Sequence, residues 1–181
     1  MARAKIALFG LTLLVAAPTF AADNGFYLGA AIGQGYVKAS DVQNFSVNDF
    51  NANATGYKIM AGYRALDILA IEANYFDLGS ASDTVAGTSV KADTTGIDAF
   101  AMLYLPIPIV DVFAKVGVVN WDQKVSVSSL GSGSDSGNDL AYGIGVGAAF
   151  SHAAVRLEYE RFEIPNTDSV DMLSLGFTWT F

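Results

Sequence analysis

From Val170 to Phe181 the chain alternates. Leu173, Leu175, Phe177, Trp179 and Phe181 share one parity, and Ser174, Gly176, Thr178 and Thr180 share the other. Successive side chains of a strand face opposite sides, so the pattern predicts a strand with one oily face and one polar or small face. The oily face ends in two aromatics. A strand crossing a bilayer has a use for that arrangement, because the outer wall of a membrane barrel is apolar and bordered by aromatic girdles.

The same alternation recurs upstream in segments of about ten residues, the length that crosses a bilayer as a tilted strand. It predicts strands over Gly25–Val37, Ala54–Arg64, Ile68–Leu78, Thr94–Leu105, Asp111–Asp122, Asp139–Phe150 and Ala153–Phe162, closed by Val170–Phe181. Thr94–Leu105 is apolar on both parities, and Asp98 decides it: a carboxylate on lipid is costly, so Ile97, Ala99, Ala101 and Leu103 face out. Ala65-Leu66-Asp67, Pro106-Ile107-Pro108 and Ser151-His152 read as tight turns, and Ile164–Ser169 as a shorter loop. Lys38–Asn53, Gly79–Ala92 and Ser126–Asn138 are aperiodic and rich in Ser, Gly, Asn and Asp, and read as long loops. Eight strands with alternating long and short connections predict an all-β fold, an eight-stranded antiparallel up-and-down transmembrane β-barrel.

The N-terminus changes where this barrel is expected. Arg3 and Lys5 precede an apolar run, Ile6–Ala17, and small residues around Thr19-Phe20-Ala21, the pattern of a secretory signal peptide over residues 1–21. The run is too short to span a bilayer as a helix, which weighs against an N-terminal anchor. Residues 22–181 are then the barrel domain. Cleavage removes two of the ten basic residues and none of the eighteen acids, so the net charge moves from −8 to −10. An acidic chain without a basic stripe excludes nucleic acid as a partner. With no Cys there are no disulfides, no thiolate chemistry and no lipidated cysteine.

The inward parity carries Lys58, Arg64, Lys115 and Arg156 against Glu72, Asp98, Glu158 and Glu160. Eight strands enclose only enough space for their own side chains, and unpaired charge there is expensive. The expectation is a lumen plugged by ion pairs among Glu72, Arg156, Glu158, Lys115 and Lys58, with trapped water, rather than an open channel.

Several of these segments resemble one family. Gly25-Phe-Tyr-Leu-Gly-Ala-Ala-Ile-Gly33, Gly62-Tyr-Arg64 with Ile71-Glu-Ala-Asn-Tyr75, Arg156-Leu-Glu-Tyr159 and Met172-Leu-Ser-Leu-Gly176 are similar, in order and spacing, to the OmpA-type outer-membrane barrel. The resemblance implies a central salt bridge between Glu72 and Arg156, with Lys115 at a position that is often basic in the family. Met102 stands where the family usually has an inward Lys. Phe177, Trp179 and Phe181 match the family's C-terminal assembly signal, which implies the barrel assembly machinery as a partner. No segment matches the family's peptidoglycan-binding domain, so a tethering role is not implied.

The function expected is a non-enzymatic envelope structural or surface-interaction role in the cell outer membrane. Its partners would be outer-membrane lipid, lipopolysaccharide and a host or surface ligand at the loops. The alternative is a small low-conductance pore through the same charges. A lipid-modifying enzyme ranks below both, because the only His, His152, sits in a turn beside Ser151 and no nucleophile–base–orienter set is apparent. A soluble lipocalin-like barrel would have the opposite polarity, oily inside. Asp41, Asp49, Asp83 and Asp135 lie on the loops without the spacing of a calcium loop, and read as a solvated acidic surface. No cofactor or metal is expected.

Overall fold

The computed structural model describes residues 24–39, 50–85, 88–107, 110–127, 131–165 and 169–181. The expected signal peptide, and the loop acids Asp41 and Asp49, lie outside the described residues. Eight strands close into one barrel, each paired antiparallel with its sequence neighbours: β1 (Gly25–Ala39), β2 (Phe50–Leu66), β3 (Leu69–Val85), β4 (Thr88–Ile107), β5 (Val110–Val127), β6 (Gly131–Phe150), β7 (Ala153–Phe162) and β8 (Ser169–Thr180). β1 and β8 seal the cylinder, with Ala30 opposite Phe177 and Tyr36 opposite Asp171.

The stagger of that closure follows from the pairing. Starting at Phe26 and stepping across partners leads to Tyr63, Ile71, Ala101, Val116, Tyr142, Arg161 and Asp171, and returns to β1 at Tyr36. The path climbs ten residues in one circuit, which tilts eight strands by about 40° and leaves an interior just wide enough for side chains. Glycine permits the close packing inside: a Cβ on Gly145 would lie 2.2 Å from the Phe113 ring, and one on Gly62 would lie 2.2 Å from the Tyr27 ring.

The parities fall as the alternation predicts. Leu28, Ile59, Ile71, Ile97, Leu103, Val116, Val118, Ile144, Leu157 and Leu175 are exposed on the outer wall, and Asp98 is buried inside. The circuit also sets heights. Phe26, Tyr63, Phe150, Trp179 and Phe181 ring the end with the short turns, and Phe26 and Tyr63 rings lie 4.7 Å apart. Tyr57, Tyr75, Tyr142 and Tyr159 form a second outward ring toward the other end, where the Tyr57 and Tyr75 rings are 6.4 Å apart. Isoleucine, leucine, valine and alanine fill the wall between.

The long connections differ from expectation. β3 and β4 continue as a ladder from Ser80↔Asp93 to Val85↔Thr88, and β5 and β6 pair out to Val127↔Gly131. β2 likewise begins at Phe50, opposite Ala39. The segments read as loops over 79–92 and 126–138, and the end of 38–53, are therefore largely strand. Beyond the oily wall both faces of a strand meet water, so the ladder persists without hydrophobic alternation to mark it. At the short turns, Pro106 and Ile107 remain paired with Asp111 and Val110, so the turn is tighter than the Pro-Ile-Pro reading.

These extensions do not form one collar. β2 pairs with β3 only as far as Tyr57↔Asp77, where a bulge follows and Gly79 takes φ +77° with its N–H donating to Asp77 Oδ1 at 2.8 Å. β6 pairs with β7 as far as Ala141↔Phe162, plus one bond from Glu163 N–H to the Leu140 carbonyl at 2.9 Å. The upper barrel thus parts into two leaves among the described residues, one of β8, β1 and β2 and one of β3 to β6.

Candidate functional site

The alternation that points leucines outward also drives seven ionisable side chains into the middle of the lumen. Arg156 on β7 places Nη2 2.7 Å from Glu72 Oε2 on β3 and 2.6 Å from Glu158 Oε1. Lys58 on β2 reaches Glu158 at 3.1 Å and Glu160 at 2.8 Å. Lys115 on β5 lies 2.5 Å from Glu158, 2.6 Å from Glu160 and 3.6 Å from Glu72. All six are buried. Each glutamate bridges two or more cations, so the group behaves as one network rather than as separate pairs.

Neutral groups complete it. The Tyr27 hydroxyl donates to Glu72 Oε2 at 2.8 Å, and Met60 Sδ lies 3.1 Å from Arg156 Nη2. Lys115 sits 4.6 Å from the centre of the Phe100 ring, a cation–π contact. Asp98, the seventh ionisable group, accepts a 2.6 Å hydrogen bond from Asn74 Nδ2. Arg64 stands apart, near the short turns. It pairs with Asp111 at 2.8 Å, donates to the Asp67 carbonyl and lies over the Tyr104 ring at 4.2 Å.

An apolar layer caps the network on the side of the long hairpins. Phe76 and Phe162 stack at 4.9 Å, and Leu78, Val119, Trp121, Ile164, Val170 and Met172 are buried with them. On the opposite side a small recess of about 40 Å³ is lined by Tyr27, Arg64, Tyr104, Asp111, Arg156 and Thr178 among others.

The structure thus brings Glu72, Arg156, Glu158, Lys115 and Lys58 within ion-pairing distance of one another, with Glu160 among them. Arg64 and Asp98, which share their parity, lie outside that network. Phe177, Trp179 and Phe181 line up on the outer wall of the last strand and its end. Sequence reasoning missed Asp111, although its odd parity with Phe113 and Lys115 was the signal. It also missed the stacked cap, because Phe76 and Phe162 fall at the predicted strand ends, where parity carries less weight. In the short turn between β6 and β7, Ser151 Oγ lies 2.9 Å from His152 Nδ1. Ser151 takes φ 54°, in the left-handed region, and the imidazole stacks on Trp179 at 5.8 Å. At the hairpin end, the Ser80 hydroxyl and Lys91 hold the Asp93 carboxyl below its ordinary range, the hydroxyl bond contributing most. Arg161 and Asp171 form a two-bond pair at 2.7 and 3.1 Å beside the upper tyrosine ring.

A family model described as outer membrane protein beta-barrel domain matches residues 7–181. Among solved structures, the chain is similar to Neisserial surface protein A at 18% identity, covering 87% of this chain and 97% of that one, with a TM-score of 0.64. The N-terminal β-barrel domain of Pseudomonas aeruginosa OprF matches at 15% identity over 87% of this chain and 98% of that one, with a TM-score of 0.59. Ail, the attachment invasion locus protein of Yersinia pestis, matches at 14% identity over 87% and 99%, with a TM-score of 0.56. Comparison with curated proteins gives no match. With a closed eight-stranded barrel, an oily wall between two aromatic rings and a family match over nearly its whole length, the chain belongs to the outer membrane protein beta-barrel domain family and resides in the outer membrane.

Proposed function

We propose that this barrel is a non-enzymatic envelope or surface-interaction protein whose lumen is shut and whose working surface is its extracellular end. The observation that carries the reading is the Glu72–Arg156–Glu158–Lys115–Lys58–Glu160 network lying beneath the stacked Phe76–Phe162 cap. An ion crossing the lumen would have to break several buried ion pairs and then pass a dry apolar layer. Removing one partner of such a pair costs about 3–5 kcal/mol, so the plug resists thermal opening.

In barrels of this class the short turns face the periplasm and the long connections face outward. The extended hairpins are therefore the part presented to the surroundings. Ail, which shares this fold, has been crystallised with a heparin analogue, sucrose octasulfate. This chain's rim carries Asp77, Asp93, Asp122, Asp135 and Asp139 against Lys91 and Lys124, a balance that favours a basic ligand over a sulfated polyanion. Outer-membrane lipid and lipopolysaccharide would contact the wall. The alternating Phe177, Trp179 and Phe181 would be read by the barrel assembly machinery.

Planar-bilayer recording of the purified protein tests the closed lumen: no unit conductance above the lipid background is expected, and discrete channels would replace the plug with the small pore. A deletion strain tests the role. It should show altered detergent sensitivity or surface binding, with lipid A of unchanged mass. A change in lipid A mass that depends on Ser151 and His152 would instead make the protein a lipid-modifying enzyme.

A further inference from the structure

Where β6 leaves β7, it leaves a strand edge behind. The Glu163 N–H donates to the Leu140 carbonyl, so Leu140 turns its backbone groups toward β7. Backbone direction alternates along a strand, so Ser132, Ser134, Ser136 and Asn138 also turn theirs toward that side, while Gly133, Asp135, Gly137 and Asp139 turn theirs toward β5. β5 pairs residues Gly131 to Gly147, but β7 pairs none beyond Ala141. Among the described residues, the edge from Ser132 to Ser136 thus carries a row of backbone groups without a strand partner. Independent support comes from Ser136: its N–H is bonded at 2.9 Å to the side chain of its neighbour, Asp135, as an edge donor would be.

Three features make this edge receptive. Gly133, Ser134 and Ser136 are exposed and small, and a Cβ on Gly133 would meet nothing within 4 Å. Ser136 lies six residues beyond Tyr142 of the upper aromatic ring, about 20 Å along the strand, so the edge stands clear of the oily wall. The surrounding charge is negative, with Asp122, Asp135 and Asp139 against Lys124. The same charge argues against a second copy of the chain as the occupant, because pairing two such edges would bring the like-charged Asp122, Asp135 and Asp139 of both copies together.

We propose that the β6 edge over Ser132–Ser136 is a docking site for an extended basic polypeptide segment, which adds to the β3–β6 leaf as a fifth strand. This rests on the surface-interaction reading and names its partner class. The segment's backbone would bond to Ser134 and, once the Asp135 carboxylate releases it, to Ser136 N–H, while its basic side chains, all on one face, meet Asp135.

The test uses the full barrel in lipid nanodiscs and a synthetic peptide of alternating Lys and Val. Control peptides carry N-methyl groups on alternate residues, or Glu in place of Lys. Saturable binding is expected for the Lys-Val peptide. N-methylation of one peptide edge should weaken it about tenfold or more, as should a Ser134→Pro/Ser136→Pro double variant, which deletes two edge donors. Gly133→Ala should bind as the parent does. Unboiled gel mobility verifies that each variant is a closed barrel, and the N-methyl peptide probes the edge without any variant. Equal binding of the methylated peptide, or of the double-proline barrel, would reduce the interaction to charge alone and overturn the proposal. So would preferential binding of the Glu peptide, or self-association of the barrel at this edge. Channels in the bilayer recording would refute the closed lumen while leaving this edge result standing.

Discussion

Arg156 and Glu72 meet at 2.7 Å although β7 and β3 are four strands apart in either direction around an eight-stranded barrel. They spring from opposite walls. Their contact therefore spans the lumen, and everything at that height must pack around it. Lys115 and Lys58 approach from β5 and β2, share Glu158 with Arg156 and share Glu160 with each other, so four strands contribute to the network besides the wall bonds they already make.

This relationship makes the network a stability element with a distinctive mutational pattern. Arg156→Met leaves Glu72 and Glu158 facing each other with fewer cations, and should destabilise the barrel by about 3–5 kcal/mol. Adding Glu72→Gln restores the charge balance, so the double variant should recover part of that loss rather than add to it. Reversible urea unfolding in lipid vesicles, followed by Trp fluorescence, reads both. Additive losses would mean that the two side chains do not interact across the lumen.

The apolar cap should matter separately. Phe162→Ala removes one member of the Phe76 stack from a fully buried position, and the expected cost is about 3–5 kcal/mol. If the cap contributes to the seal, the same variant combined with Arg156→Met should show measurable conductance where neither does alone. Bilayer recordings on the three variants decide whether the cap or the ion network is the tighter barrier.

Alternation made the wall legible, because lipid on one side and a filled lumen on the other leave a parity no residue can ignore. Asp98 settled the face of β4 when its apolar residues could not, and the structure buries it. The inward placement of Glu72, Arg156, Lys58, Lys115 and Glu158 followed from the same rule. Who pairs with whom did not: Lys58 joins Glu160 across residues 102 apart in sequence, a contact set by the ten-residue stagger, which no local pattern records. The hairpin extensions were illegible for the converse reason. Past the oily wall nothing imposes an apolar face, so the strands over Ser80–Val85 and Gly131–Asn138 rest on backbone bonds that side-chain periodicity does not report.

The outer wall yields a depth-dependent prediction. Leu157 lies about midway between the two aromatic rings, whereas Leu140 lies past Tyr142 at the outer rim. Leu157→Arg should cost about 2–4 kcal/mol and Leu140→Arg about 0–1 kcal/mol. Unfolding in vesicles again provides the measurement. Equal costs at the two sites would displace the membrane from the band between the rings.

Two glycines on one strand provide the sharpest test of the interior packing. Gly145 and Gly147 share β6, face inward and are separated by one residue. A Cβ on Gly145 would lie 2.2 Å from the Phe113 ring, and the ring is held in turn against Tyr104 at 5.2 Å and Arg156 at 5.3 Å. A Cβ on Gly147 would find its nearest atoms at 3.4 and 3.7 Å, ordinary contact distances. Gly145→Ala should therefore cost about 1–3 kcal/mol through overpacking, and should displace Arg156 from the network it anchors. Gly147→Ala should be close to neutral, or slightly stabilising through reduced freedom of the unfolded chain. Identical chemistry at neighbouring sites separates packing from propensity, because both substitutions change intrinsic strand preference equally. If the two alanine variants unfold at the same urea concentration, the Phe113 ring does not rest on Gly145, and the tight lumen on which the closed-barrel reading depends loses its support.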